Sequence, residues 1–123
     1  MLERPVLIVD DEEICLTIMS EMVKRAGLPV ILARDGLEAV EVFERHGAEI
    51  CCILLDLQMP RMNGIDAFRH IRKCGENVPV IITSGFLTEK NMELIEPLNP
   101  AGYLNKPVSY KDLLAFLKKI AAV

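Results

Sequence analysis

The chain has 123 residues, the size of one ordinary domain and too short for two. Apolar residues make up 51% and charged residues 26%, which excludes disorder as the main description and permits a real core. The net charge of -4 argues against binding a phosphate backbone by bulk charge, and no nucleic-acid contact is expected.

Arg4 to Val9 is the first strand candidate. Cys15, Ile18, Met19, Met22, Val23 and Ala26 then recur at helical spacing, and Gly27 closes that helix. Pro29 to Ala33 is a second strand, and after an Asp35-Gly36 turn a helix runs from Leu37 to Arg45 with Val40 and Phe43 inward. Ile50 to Leu55 is the third strand, followed by a loop and a helix from Gly64 to Cys74 with Ala67, Phe68, Ile71 and Cys74 on one side. Val78 to Thr83 is the fourth strand, Leu87 to Ile95 a short, weakly patterned helix, and Gly102 to Asn105 the fifth strand. Ser109-x-x-Asp112 is a capping box that opens a last helix carrying Leu113, Leu117 and Ile120 on one face.

Five strand-helix units imply right-handed crossovers, and hence a parallel five-stranded sheet covered on both faces: an α/β fold of three layers. Strands one, three and four are almost wholly apolar, as doubly covered strands are. Strand two opens on Pro29 and strand five carries Gly102 and Asn105, which marks these two as the edges. The longest apolar run, Ile50 to Leu55, is far short of the roughly 18 residues of a membrane span. The start of the chain lacks a signal-peptide pattern, so a cytoplasmic protein without membrane contact is expected. Cys15, Cys51, Cys52 and Cys74 show no metal-site spacing and read as buried reduced thiols, with Cys51 and Cys52 on opposite faces of their strand.

Ligands of an open parallel sheet bind beyond the carboxyl ends of its strands. Strand one runs into Asp10, Asp11 and Glu12, strand three into Asp56, strand four into Thr83 and Ser84, and strand five into Lys106-Pro107. Singly, the acids suit a helix start, Ser84-Gly85 a turn and Lys106 the surface. Together they place carboxylates, a hydroxyl and an ammonium on one rim. Carboxylates this close repel unless neutralised, and hard oxygen ligands with an open shell suit Mg²⁺ better than Ca²⁺. Neither His46 nor His70 lies near the rim, which speaks against zinc.

These residues carry a resemblance. Val6-Leu7-Ile8-Val9-Asp10-Asp11-Glu12-Glu13, the run from Ile53 through Asp56 and Gln58 to Asn63-Gly64, Val80-Ile81-Ile82-Thr83-Ser84-Gly85 and Gly102-Tyr103-Leu104-Asn105-Lys106-Pro107 are similar to the motifs of response-regulator receiver domains across the whole chain. The resemblance implies a flavodoxin-like (βα)5 fold with strand order 2-1-3-4-5. It also implies a single receiver unit over residues 1–123 with no output domain in the chain.

The resemblance further implies that Asp56 accepts a phosphoryl group from the phosphohistidine of a sensor histidine kinase or a histidine phosphotransfer protein, or from a small donor. Asp10, Asp11, Asp56 and the backbone carbonyl of Gln58 would hold Mg²⁺, with Mn²⁺ or Ca²⁺ as substitutes in a crystal. Lys106 and Ser84 would bind the phosphoryl group. Thr83 is the rival hydroxyl, but Ser84 directly precedes Gly85 and lies 22 residues before Lys106, as the family pattern expects. Lys106-Pro107 would be a cis peptide.

Ser84 and Tyr103 would form the switch, although Tyr103 could instead only pack an edge strand. The fourth helix, fifth strand and fifth helix would be the output face, toward a downstream protein, an output domain outside this chain or a phosphorylation-dependent homodimer. Gln58 and Phe86 occupy the positions that tune phosphoryl lifetime in the family, with Phe86 equally readable as interface or packing. The expected product is a phosphorylation-switched signalling module of a two-component relay, and not a turnover enzyme. The competing readings are a Mg²⁺-dependent aspartyl-phosphate phosphohydrolase, disfavoured because Asp56-x-Gln58 lacks a second acid, and a scaffolding pseudo-receiver, disfavoured because every expected acid, hydroxyl and lysine is present.

Overall fold

The computed structural model describes residues 4–59, 61–74 and 77–121. Its elements are β1 (Val6–Val9), α1 (Glu13–Arg25), β2 (Val30–Ala33), α2 (Gly36–His46), β3 (Cys52–Asp56), α3 (Gly64–Lys73), β4 (Val80–Ser84), α4 (Glu89–Ile95), β5 (Gly102–Asn105) and α5 (Tyr110–Ala121). Short 3₁₀ turns follow α2 (Gly47–Glu49) and α4 (Glu96–Leu98).

The strands form one parallel sheet in the order β2-β1-β3-β4-β5, with β2 and β5 at the edges as the proline and glycine positions require. The chain winds from β1 outward to β2, then back past β1 to β3, β4 and β5. Right-handed crossovers send a helix to one face or the other according to the direction of travel. Two apolar layers result. Leu7, Val9, Ile53, Leu55, Val80 and Ile82 meet Phe43 of α2, Phe68 and Ile71 of α3, and Ile95 of α4 on one face. Val6, Ile8, Cys52, Leu54 and Ile81 meet Leu16, Met19 and Val23 of α1, and Leu113 and Leu117 of α5, on the other.

Local signals set the helix ends. Asp35, Asn63 and Thr88 accept from the backbone N–H groups of Glu38, Asp66 and Asn91 at 2.8, 2.9 and 3.0 Å, capping α2, α3 and α4. Ser109 accepts from Asp112 N at 3.1 Å, as the capping-box spacing anticipates. Gly27, at φ +96°, ends α1 in a conformation that costs other residues strain.

The structure corrects several boundaries. β1 starts at Val6, not Arg4, and β3 and β4 each run one residue further than the apolar runs suggested, to Asp56 and Ser84. Their polar last residues still pair in the ladder, Asp56 opposite Thr83 and Ser84 opposite Asn105. α4 starts at Glu89 because Thr88 caps it, and α2 starts at Gly36 because Asp35 caps it.

The buried stripe of α1 is Leu16, Met19, Ser20 and Val23. Ile18 stands 47% exposed, because it lies about 100° around the helix from Met19. Cys74 terminates α3 and is exposed, so it does not join Ala67, Phe68 and Ile71. All four cysteines are free, but only Cys52 is buried, Cys15 and Cys51 being half-buried. Cys51 and Cys52 do not face opposite ways: their sulfurs lie 3.9 Å apart, since Cys51 precedes the first residue of β3 and escapes its alternation.

Among the described residues, one buried side-chain polar atom is unsatisfied. Thr83 is fully buried and, among the described residues, its Oγ1 has no hydrogen-bond partner. Burying an unpaired hydroxyl is costly, and valine has nearly the same shape without it. Thr83→Val is therefore expected to stabilise the fold by about 1 kcal/mol, read as a higher urea midpoint at unchanged slope; a lower midpoint would reveal a use for the hydroxyl.

Candidate functional site

β1 and β3 are adjacent at the point where the winding reverses, and their carboxyl ends open beside those of β4 and β5. A cleft of about 520 Å³ lies there, lined by Asp11, Glu12, Asp56, Gln58, Ser84, Gly85, Phe86 and Lys106. Asp10 is fully buried beneath it, Asp56 is 7% exposed and Asp11 is exposed. Carboxylate oxygens of Asp10, Asp11 and Asp56 all lie within 4.8 Å of one another.

Lys106 reaches this cluster from the end of β5. Its Nζ donates to Asp10 Oδ2 at 2.6 Å and stands 3.4 Å from Asp56 Oδ1. The other oxygen of Asp10 accepts from Glu12 N at 2.9 Å, so the buried aspartate is held on both sides. The Lys106-Pro107 peptide is cis, and Lys106 N donates to Ser84 O at 2.9 Å, tying the lysine to β4.

Burial pushes the Asp56 carboxyl up to about 6 from its ordinary 3.8. The Lys106 charge opposes that shift, while the charges of Asp10 and Asp11 add to it. Burial acts to lower Lys106, but its hydrogen bond to Asp10 and the charges of Asp56 and Asp10 outweigh this and raise it. The arrangement is thus short of positive charge: one ammonium faces three carboxylates.

Asp56 is held where it is by close backbone packing. Gly64 N donates to Leu57 O at 2.8 Å, and a Cβ on Gly64 would meet Asp56 O at 2.2 Å, so the start of α3 presses directly on the end of β3. Arg61 at φ 65° donates from Nε to Asp35 Oδ2 at 2.8 Å, fastening the β3-α3 loop to the cap of α2.

Each residue that the sequence singled out can now be placed. Asp10, Asp11, Asp56, Ser84 and Lys106 come together, and Gln58 is an exposed residue of the cleft wall. Ser84 lines the cleft, whereas Thr83 does not. Ser84 Oγ donates to Phe86 O at 2.9 Å and accepts from Phe86 N at 3.1 Å, a compact turn that leaves the Phe86 side chain 74% exposed at the cleft mouth.

Tyr103 lies away from the cleft lining, half-buried against the α2-α3-α4 layer. Its hydroxyl donates to Glu96 Oε1 at 2.7 Å, and burial together with that carboxylate pushes it up to about 12. The histidines are engaged elsewhere, His46 beside Glu49 at 3.8 Å and His70 beside Glu44 at 3.1 Å. Sequence reasoning missed the Lys106-Asp10 pair, which joins residues 96 apart in the chain, and the Glu96 partner of Tyr103. No spacing rule signals either.

The sequence matches the family described as the response regulator receiver domain over residues 6–118. It is 35% identical over 108 residues to the autoinducer 1 sensor kinase/phosphatase LuxN of Vibrio harveyi, covering 88% of this chain but only 12% of LuxN. It is 26% identical over 117 residues to the polar-differentiation response regulator DivK of Brucella anthropi, covering 94% of each. Among solved structures, the receiver domain of the sensor histidine kinase PA1611 from Pseudomonas aeruginosa superposes with a TM-score of 0.87 at 27% identity, over 99% of this chain and all of that one, and it holds a magnesium ion in its active-site cleft. Among the described residues no helix is long and apolar enough to cross a membrane. Site, fold and sequence agree: this chain belongs to the response regulator receiver domain family of two-component signalling.

Proposed function

We propose that the domain is a phosphorylation-switched signalling module in which Asp56 accepts a phosphoryl group from the phosphohistidine of a histidine kinase or histidine phosphotransfer protein. The observation that carries this reading is Asp56 at the floor of an open cleft, among Asp10 and Asp11, with Lys106 Nζ 3.4 Å away. A carboxylate oxygen of Asp56 attacks phosphorus, the donor's P–N bond breaks, and its electron pair leaves with the imidazole. The transition state is loose, so the site has to position and neutralise rather than move protons. Lys106 supplies one fixed positive charge to the phosphoryl oxygens, and Ser84, which lines the same cleft, offers a hydroxyl.

The donor set fits a hard divalent cation: three carboxylates within 4.8 Å, too little positive charge around them, and no histidine among them. Asp11, Asp56 and the Gln58 carbonyl, with Asp10 behind them, would hold Mg²⁺, which supplies further charge neutralisation when bound. Asp10 anchors Lys106 and keeps it beside Asp56.

The signal leaves through α4, β5 and α5, toward a protein target, an output domain or a second copy. Tyr103 ties β5 to the turn after α4 through Glu96 and is the aromatic whose position would report the change. Each phosphoryl group received is held and then lost, so the domain acts as a switch and not as a turnover enzyme.

Incubation with Mg²⁺ and acetyl phosphate is expected to add one phosphoryl group to the wild type and none to Asp56→Asn, by intact mass; continuous turnover of phosphate esters would overturn the reading. The raised carboxyl of Asp56 makes a second outcome specific. A carboxyl lifted from 3.8 to about 6 holds its proton longer in the folded state, so without metal this group removes stability as pH rises through that window. Mg²⁺ binds the ionised form, and its increase in Tm is expected to be larger at about pH 8 than at about pH 5; equal shifts would count against the acidic cluster as its site. Phe86, exposed at the cleft mouth, shields the phosphoryl group from water. Phe86→Glu is expected to shorten the phosphoryl lifetime several-fold in a phosphate-release assay, and an unchanged rate would remove that role.

A further inference from the structure

At the end of β3 opposite Asp56, two thiols stand side by side. Cys52 is the first residue of β3 and is buried, Cys51 immediately precedes it and is half-buried, and both contact the apolar layer under α1 and α5. Their sulfurs are 3.9 Å apart. Cys51 also lines a cavity of about 350 Å³, with Arg4, Ala48, Ile50, Asn77 and Pro79 among its walls. We propose that Cys51 and Cys52 form a chelating dithiol site for monosubstituted trivalent arsenicals.

The spacing favours a bridging atom over a direct bond. Two thiolates on one tetrahedral ion at a metal-sulfur distance of about 2.3 Å are about 3.8 Å apart, so one atom can span the observed gap with little adjustment. A disulfide prefers Cα atoms about 4.4–6.8 Å apart, whereas neighbours across a trans peptide sit about 3.8 Å apart. Direct oxidation of the pair is thereby strained, and chelation is not.

The surroundings select the ligand. Zinc wants four donors, but among the described residues the cavity walls add no histidine or carboxylate to the sulfurs, and Arg4, with its guanidinium bonded to Ile50 O at 2.9 Å, is the charged residue lining it. A cation is therefore disfavoured. Trivalent arsenic carrying one organic group needs only two thiolates, is neutral as its oxide, and is as soft as sulfur prefers. In the reaction two As–S bonds form, the As–O bond is lost, and both thiol protons leave with that oxygen as one water; nothing is oxidised or reduced. The thiols divide the work: the hydrogen bond between them lowers Cys51, giving a better first nucleophile, and raises Cys52. The cavity beside Cys51 takes the organic substituent.

Phenylarsine oxide is the probe. The folded full chain is expected to take up one phenylarsenic group in place of two thiol hydrogens, by native intact mass, and to release it to a small dithiol but not to an equal concentration of monothiol. Cys51→Ser is expected to lose this adduct, whereas the double variant Cys15→Ser/Cys74→Ser keeps it. Cys51 is half-buried and outside the strand, so its substitution leaves the core layer in place, with circular dichroism as the check. The absence of an adduct on folded wild type, its persistence in Cys51→Ser, or its loss in the double variant would overturn the site.

Discussion

Lys106 holding Asp10 and Asp56 is the interaction on which the rest of the structure depends. A fully buried aspartate is tolerated only when its charge is met, and here a lysine from the far end of the chain meets it at 2.6 Å. That single contact ties the end of β5 to the end of β1 across the width of the cleft, with β3 and β4 between them. The ammonium is shared, however, and satisfies Asp10 better than Asp56, which lies at 3.4 Å and is lifted to about 6. The site therefore keeps an unmet demand for positive charge in an otherwise apolar sheet. Such a demand is unfavourable for stability and useful for recruiting charge that arrives from outside.

Much of this was legible in the sequence because periodicity and handedness leave few alternatives. Five apolar runs with helical intervals force a parallel sheet, Pro29 and Gly102 push their strands to the edges, and right-handed crossovers then assign helices to faces. Acids at the ends of β1 and β3 must consequently meet, as Asp10, Asp11 and Asp56 do.

What stayed hidden has physical causes. Strand ends were misplaced where a polar residue continues the ladder, since Asp56 and Ser84 pair in register although they end an apolar run. Ile18 was misassigned because an apolar residue next to the buried stripe satisfies the same spacing while lying on the flank. The nearness of the Cys51 and Cys52 sulfurs could not be foreseen, because alternation holds only inside a strand and β3 begins between them. The Glu96 contact to Tyr103 depends on a 3₁₀ turn whose direction no local pattern fixes.

Hydrogen-bond arithmetic also constrains how the cleft can change. A serine hydroxyl has one proton to donate, and Ser84 donates it to Phe86 O while accepting from Phe86 N. It cannot donate to any group in the cleft without surrendering that bond, and the two bonds together define the turn that leads through Thr88 into α4. Movement of Ser84 Oγ toward Asp56 thus releases backbone next to the cap of a helix only seven residues long, the shortest α-helix among the described residues. Lys106 N, bonded to Ser84 O, moves or stays with the same strand end, and β5 carries Tyr103 three residues earlier. The shortest α-helix among the described residues and the strand carrying Tyr103 thereby lie next to the hydroxyl that lines the cleft, whereas α2 and α3 are fastened through Asp35 and Gly64. Hydrogen bonding and helix length thus set the α4-β5 side of the cleft apart from the α2-α3 side.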